Sequence, residues 1–224
     1  MLLKPPFIIL NMKSYQESSG ENGLNLAKIC EDLAKENDVS IMICPQQVDL
    51  TYICKNVTIP CLSQHVDPIE SGGYTGWVSI NSVKNSGAKG SLINHSEHKM
   101  NLADTDLIIG VLRSFNLISI VCANNEITSR AVAELRPDFV AIEPPELIGT
   151  GVSVSSARPE VVSHTVESVK YIDQNIKVLC GAGISNGEDV RSAVNLGADG
   201  ILLASGVIKA KNQKKALLDL ISYI

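Results

Sequence analysis

The sequence lacks a long hydrophobic run. Its first apolar stretch, Phe7–Leu10, is short and follows the breakers Pro5 and Pro6, so neither a signal peptide nor a membrane span is expected, and the chain reads as cytoplasmic. Clustered positive charge is missing too. Basic residues are scattered, the net charge is −5 and the pI near 5.4, which argues against nucleic acid or an anionic membrane surface as a partner. Any anion must therefore be held by local geometry. There is no Cys-x-x-Cys pair: Cys30, Cys44, Cys54, Cys61, Cys122 and Cys180 fall in separate segments, four of them in strand-like runs. Free thiols in a reducing compartment follow, since a chain this long needs no staples. The four histidines and the cysteines share no ligand spacing, so no metal is expected. No Gly-x-Gly-x-x-Gly follows the first apolar run, which excludes the dinucleotide crevice, and no serine sits in a Gly-x-Ser-x-Gly elbow.

What is present is alternation. Short apolar runs at 7–10, 41–44, 61–64, 91–93, 118–122, 139–142, 178–180 and 200–203 alternate with helical patterns. These cover about 20–36, 48–54, 77–86, 102–115, 127–135, 159–174, 188–196 and 213–222. The runs carry apolar residues at consecutive positions, as parallel strands covered on both faces require. Eight strand–helix units at about 28 residues each suit a compact closed barrel, which typically takes about 250 residues. We therefore expect an α/β protein, a (β/α)8 barrel forming a single domain over 1–224, in preference to an open doubly wound sheet.

In such a barrel the carboxyl ends of all strands open on one face, so residues just after each run share one space. After the first run stand Asn11 and Lys13, and after the fourth Asn94, His95, Ser96 and Glu97. The sixth run ends on Glu143, where Pro144 and Pro145 stop the strand. The stretch Glu146-Leu147-Ile148-Gly149-Thr150-Gly151 then has the composition of a lid with bare amides for an anion. Gly181–Ser185 and Ala204–Gly206 follow the last two runs and read as a phosphate cradle with a short helical turn at Ser205, which Gly149 could complete. A tight strand-to-helix turn is the alternative reading of Gly181 and Gly183.

A carboxylate beside an anion-accepting lid points to proton transfer on a phosphorylated substrate. His95 is expected near a helix N-terminus, where a positive dipole favours the neutral ring. Lys13 could be an exposed lysine, or a fixed cation over the mouth that offsets a phosphodianion and a developing oxyanion, with Glu97 as the partner that orients it. His65 follows a strand without a second functional group beside it, and His98 and His164 are expected on solvated helical segments.

Taken together, Asn11-Met12-Lys13, Leu92-Ile93-Asn94-His95-Ser96-Glu97, Ala141-Ile142-Glu143-Pro144 and Ile148-Gly149-Thr150-Gly151 resemble the triosephosphate isomerase family over the whole length. Cys180-Gly181-Ala182-Gly183-Ile184-Ser185 and Leu202–Val207 look like its short, archaeal type. The family is itself the standard case of a Glu base, a neutral His and a closing loop, so these roles are carried over by resemblance. The resemblance implies interconversion of dihydroxyacetone phosphate and D-glyceraldehyde 3-phosphate in glycolysis and gluconeogenesis, without cofactor or metal. It implies Glu143 as proton shuttle, His95 as electrophile, Lys13 and Asn11 as electrostatic support, and phosphate held by Ile148, Gly149, Gly183, Ala204 and Ser205. A homotetramer is implied too. Two departures stand out: Asn94 replaces the usual glycine before the histidine, and Pro145-Glu146-Leu147 replaces an apolar hinge with a tryptophan. Another phosphate-binding barrel enzyme, or a non-catalytic metabolite sensor on the same scaffold, would share the cradle alone.

Overall fold

The structure, a computed structural model, describes residues 4–147, 149, 151 and 153–224. In chain order it runs β1 (Phe7–Asn11), α1 (Gly20–Asn37), β2 (Ser40–Cys44), α2 (Leu50–Cys54), α3 (Ile80–Asn85), β3 (Gly90–Ile93), α4 (Leu102–Ser114), β4 (Ile118–Ala123) and α5 (Glu126–Ala133). It continues with β5 (Phe139–Ile142), α6 (Val154–Ala157), α7 (Pro159–Ile172), β6 (Lys177–Gly181), α8 (Gly187–Asn195), β7 (Gly200–Leu203), α9 (Ser205–Ile208) and α10 (Gln213–Ile221). Every pairing between named strands is parallel, in the order β2-β1-β7-β6-β5-β4-β3.

Among the strands, the expected third is the one that departs. Cys61–Gln64 does not form a regular ladder; it makes two isolated parallel bridges, Ile43 to Cys61 and Ser63 to Ser91. Its backbone nevertheless bonds both neighbours, with Leu62 N–H donating to Ile43 O at 2.8 Å and Ser63 N–H to Gly90 O at 2.8 Å, so the segment spans the gap between β2 and β3 and the barrel closes. Pro60 stands at its entrance, and a proline cannot donate to a ladder.

Two packed layers follow from the period-2 alternation of strands. Phe7, Ile9, Met42, Leu62, Leu92, Ile120, Phe139, Ala141, Leu179 and Leu202 fill the barrel, where the Phe7 and Phe139 rings meet edge to face at 5.2 Å. Their neighbours Ile8, Leu10, Ile41, Ile43, Val121, Val140, Val178 and Ile201 face the helices. Helix α1 answers with Leu26, Ala27, Cys30, Leu33 and Ala34, all fully buried at three- and four-residue spacing, and each such Leu contributes about 1.5–3 kcal/mol by leaving water.

Caps set the helix starts. Asn101 caps α4, Asn125 with Thr128 boxes α5, Asn186 with Asp189 boxes α8, and Pro159 opens α7 at its first turn. The helix expected from Trp77 begins instead at Ile80, because Ser79 accepts from Ser82 N and so caps it there. The short α6 was not anticipated: four residues carry no periodicity. All six cysteines are free, and no helix among the described residues is long and apolar enough to cross a membrane.

Candidate active site

Asn11, Glu143 and Gly181 continue the inward rows of β1, β5 and β6 by one step of two residues beyond Ile9, Ala141 and Leu179. They therefore meet at the rim instead of in the core. Glu143 is held there by its backbone N–H, which donates to Ala123 O at 2.8 Å, and it is buried. One carboxylate oxygen, Oε1, lies 3.6 Å from His95 Nε2. The other, Oε2, is buried without a hydrogen-bond partner among the described residues, an arrangement that structures usually avoid unless the atom has work to do. Burial pushes the Glu143 pKa up; contact with the His95 ring and the Cys122 thiol, with the charge of the more distant Lys13 ammonium, together outweigh it and hold the group below its ordinary value. Burial, then the Glu143 carboxylate, push the Cys122 thiol up in turn, so it stays a donor.

His95 is buried at the end of the segment after β3. No helix begins beside it, contrary to expectation. Residues 96–98 form a turn closed by His98 N–H to His95 O at 2.8 Å, and α4 starts only at Leu102. A single amide replaces the dipole: Glu97 N–H donates to His95 Nδ1 at 3.1 Å. A nitrogen that accepts carries no proton, so the ring is the tautomer with its N–H on Nε2, facing Glu143.

Lys13 takes a left-handed backbone, φ 48°, strain of the kind that clusters at functional sites. Asn11 Oδ1 accepts from its N–H at 3.0 Å, Gln64 donates to its carbonyl at 3.0 Å, and Glu97 Oε1 lies 2.7 Å from its ammonium.

The opposite wall is backbone. Gly183 stands at φ 73°, a conformation natural to glycine. Gly206 lets α9 approach the loop after β6: a Cβ there would meet Ile184 O at 2.8 Å. The first amides of α9 have no preceding turn to bond. Asp189 fixes the loop from behind, accepting from Ser185 N at 2.9 Å and Ser185 Oγ at 3.1 Å. Asn11, Lys13, His95, Glu143, Gly149, Gly183, Ala204 and Ser205 line one cavity of about 350 Å³.

A family model described as triosephosphate isomerase matches residues 6–224. The triosephosphate isomerase of Methanothermus fervidus is 58% identical over 217 residues, covering 97% of this chain and 98% of that one. Those of Methanocaldococcus jannaschii and Methanobrevibacter smithii are 53% and 51% identical, covering 97% and 98% of this chain and 99% of each of theirs.

The chain belongs to the triosephosphate isomerase family. Of the residues singled out from the sequence on that resemblance, the structure gathers all but one at this cavity or, for Glu97, beside it. The exception is Ile148, which lies outside the described residues. Tyr15 and Lys209 were missed. Both line the cavity, with the Lys209 ammonium 4.6 Å from the Tyr15 ring centroid; neither follows a strand end directly, so strand position does not mark them in the sequence. His65 is less isolated than expected: it lies 3.0 Å from Asp67 Oδ1 and stacks on His98 at 3.7 Å, His98 being on the turn after His95 and not on a helix. His164 is exposed on α7, as read.

Proposed function

We propose that this cavity interconverts dihydroxyacetone phosphate and D-glyceraldehyde 3-phosphate, the reaction implied by the family to which the chain belongs. The carrying observation is the approach of His95 Nε2 to Glu143 Oε1 at 3.6 Å, with Glu143 Oε2 unpartnered among the described residues, in the cavity that also carries the glycine-rich wall. A carboxylate kept ionised and an N–H donor, side by side, suit removal of a proton from carbon while the adjacent carbonyl oxygen gains charge.

In this reading Glu143 takes the proton from the carbon next to the carbonyl. The C–H electron pair becomes the enediolate double bond, and the carbonyl pair moves onto oxygen, where His95 Nε2–H and the Lys13 ammonium stabilise it. Glu143 returns the proton to the neighbouring carbon. Asn11 holds Lys13, and Glu97 orients it. Phosphate lies against Gly183, Ala204 and Ser205, with Gly149 on the lid side, so binding energy at the phosphate fixes the reacting carbons.

We read residues 1–224 as one barrel domain, working in the cytoplasm on a small phosphorylated substrate as a homotetramer. Supporting the last point, Tyr74, Trp77, Leu102 and Leu107 are half-exposed apolar groups that an interface would cover; a light-scattering mass tests it. For the chemistry, a coupled assay with glyceraldehyde 3-phosphate should find His95→Ala and Glu143→Ala each slower by on the order of 100-fold or more, with circular dichroism unchanged. Wild-type turnover in either variant overturns the assignment.

A further inference from the structure

We infer that Gly181 is a positioning residue for Glu143, and that what the position requires is the absence of a side chain. The inference rests on the reading of Glu143 as the base. Gly181 is the last residue of β6, and the ladder pairs Ile142 with Cys180, which sets Gly181 beside Glu143 on the inward row. A Cβ on Gly181 would lie 2.5 Å from Glu143 Cγ and 3.1 Å from both Cδ and Oε1, well inside the roughly 3.5–4.0 Å at which carbon atoms pack.

Backbone freedom does not explain the glycine. Gly183, two residues on, has φ 73°, whereas Gly181 lies outside the positive-φ region and continues a regular strand. Alanine could take its φ and ψ without strain. Only the space is special, and the Glu143 side chain fills it.

The carboxylate has little freedom to retreat. It is buried, with the His95 ring on one side and the Cys122 thiol on another. A methyl at 181 must therefore displace it from His95 Nε2, while Gly183, Ala204 and Ser205, which lie beyond the strand end, keep their places.

Gly181→Ala should thus lower kcat on the order of 100-fold, the effect of an ångström-scale misplacement, with KM little changed. A merely structural glycine would not give that split. A stability cycle tests the steric relation without reference to turnover: Gly181→Ala should lower Tm in the wild-type background and leave it unchanged in Glu143→Ala, where the clashing atoms are gone. If Gly181→Ala does not fold, the double variant should still fold and melt like Glu143→Ala. Wild-type kcat in Gly181→Ala, an equal loss of Tm in both backgrounds, or a double variant that fails to fold overturns the inference. Full turnover in Glu143→Ala would instead remove the base reading, leaving the melting cycle to decide the steric one.

Discussion

Lys13 and Glu97 meet across the barrel mouth, Nζ to Oε1 at 2.7 Å, with the lysine side chain mostly covered and the glutamate more than half exposed. The same glutamate donates its backbone N–H to His95 Nδ1, so one residue orients the cation with its side chain and the imidazole with its main chain. The two roles separate by mutation. Glu97→Gln keeps the shape and the amide and removes only the charge facing Lys13. We expect kcat/KM to fall about 10-fold, less than loss of a direct electrostatic donor, with the nitrogen-15 NMR signals of the His95 ring unmoved. A shift of those signals would show that the charge, and not the amide, sets the tautomer.

Acid should act on this enzyme through Glu143. Its pKa is held below the ordinary glutamate value, so the carboxylate is ionised through the neutral range and the acid limb of kcat/KM for the free enzyme should lie below that value. The sign for stability follows from the depressed pKa. The contribution of Glu143 is complete above its unfolded value and is lost as pH falls through the folded one. Urea titrations across pH 3–6 should show that slope in the wild type and a flatter one in Glu143→Gln. An acid limb above the ordinary glutamate value would contradict the balance described for this site.

Asn94 shows how a departure from the family pattern is accommodated. Its φ of 57° is the left-handed conformation that glycine takes freely and asparagine tolerates. In exchange for the glycine, its side chain donates to Cys122 O at 3.0 Å and accepts from Met100 N at 2.9 Å, tying the segment that carries His95 to β4. Asn94→Ala loses both bonds and keeps the strain, which should cost about 2 kcal/mol or more. Asn94→Gly loses the bonds alone and should be milder by about 1 kcal/mol, both read from urea unfolding at fixed pH.

Strand positions were readable because apolar runs of three to five residues ended on proline, glycine or a polar cluster, and barrel closure then implied a shared rim for Asn11, His95 and Glu143. What could not be read was how each residue is held. The turn after His95 looks helical in sequence since Ser96-Glu97-His98 carries no breaker, and only coordinates reveal the Glu97 amide on the ring. The third strand reads like the others, yet Pro60 and a passage spanned by isolated bridges leave it irregular. Tyr15 and Lys209 escaped notice because they reach the cavity from the segments beyond β1 and α9, and reach is a property of packing.

Lys209 carries a prediction of its own. Its ammonium is held 4.6 Å from the Tyr15 ring centroid, and both residues line the cavity with Lys13; a cation–π contact of this kind fixes a charge without neutralising it. With a net charge of −5, the protein as a whole repels a phosphate dianion, so local cations must draw it in. Lys209 is exposed, and an exposed charge acts through solvent over about one Debye length, roughly 10 Å at 0.1 M salt and 3 Å at 1 M. Lys209→Met should therefore reduce kcat/KM several-fold at low ionic strength, chiefly through KM, and the difference from wild type should vanish as salt rises. Tyr15→Leu, which frees the ammonium without removing it, should fall between the two. A loss that persists at 1 M salt would mean that Lys209 touches the phosphate directly and acts by contact instead of by its field.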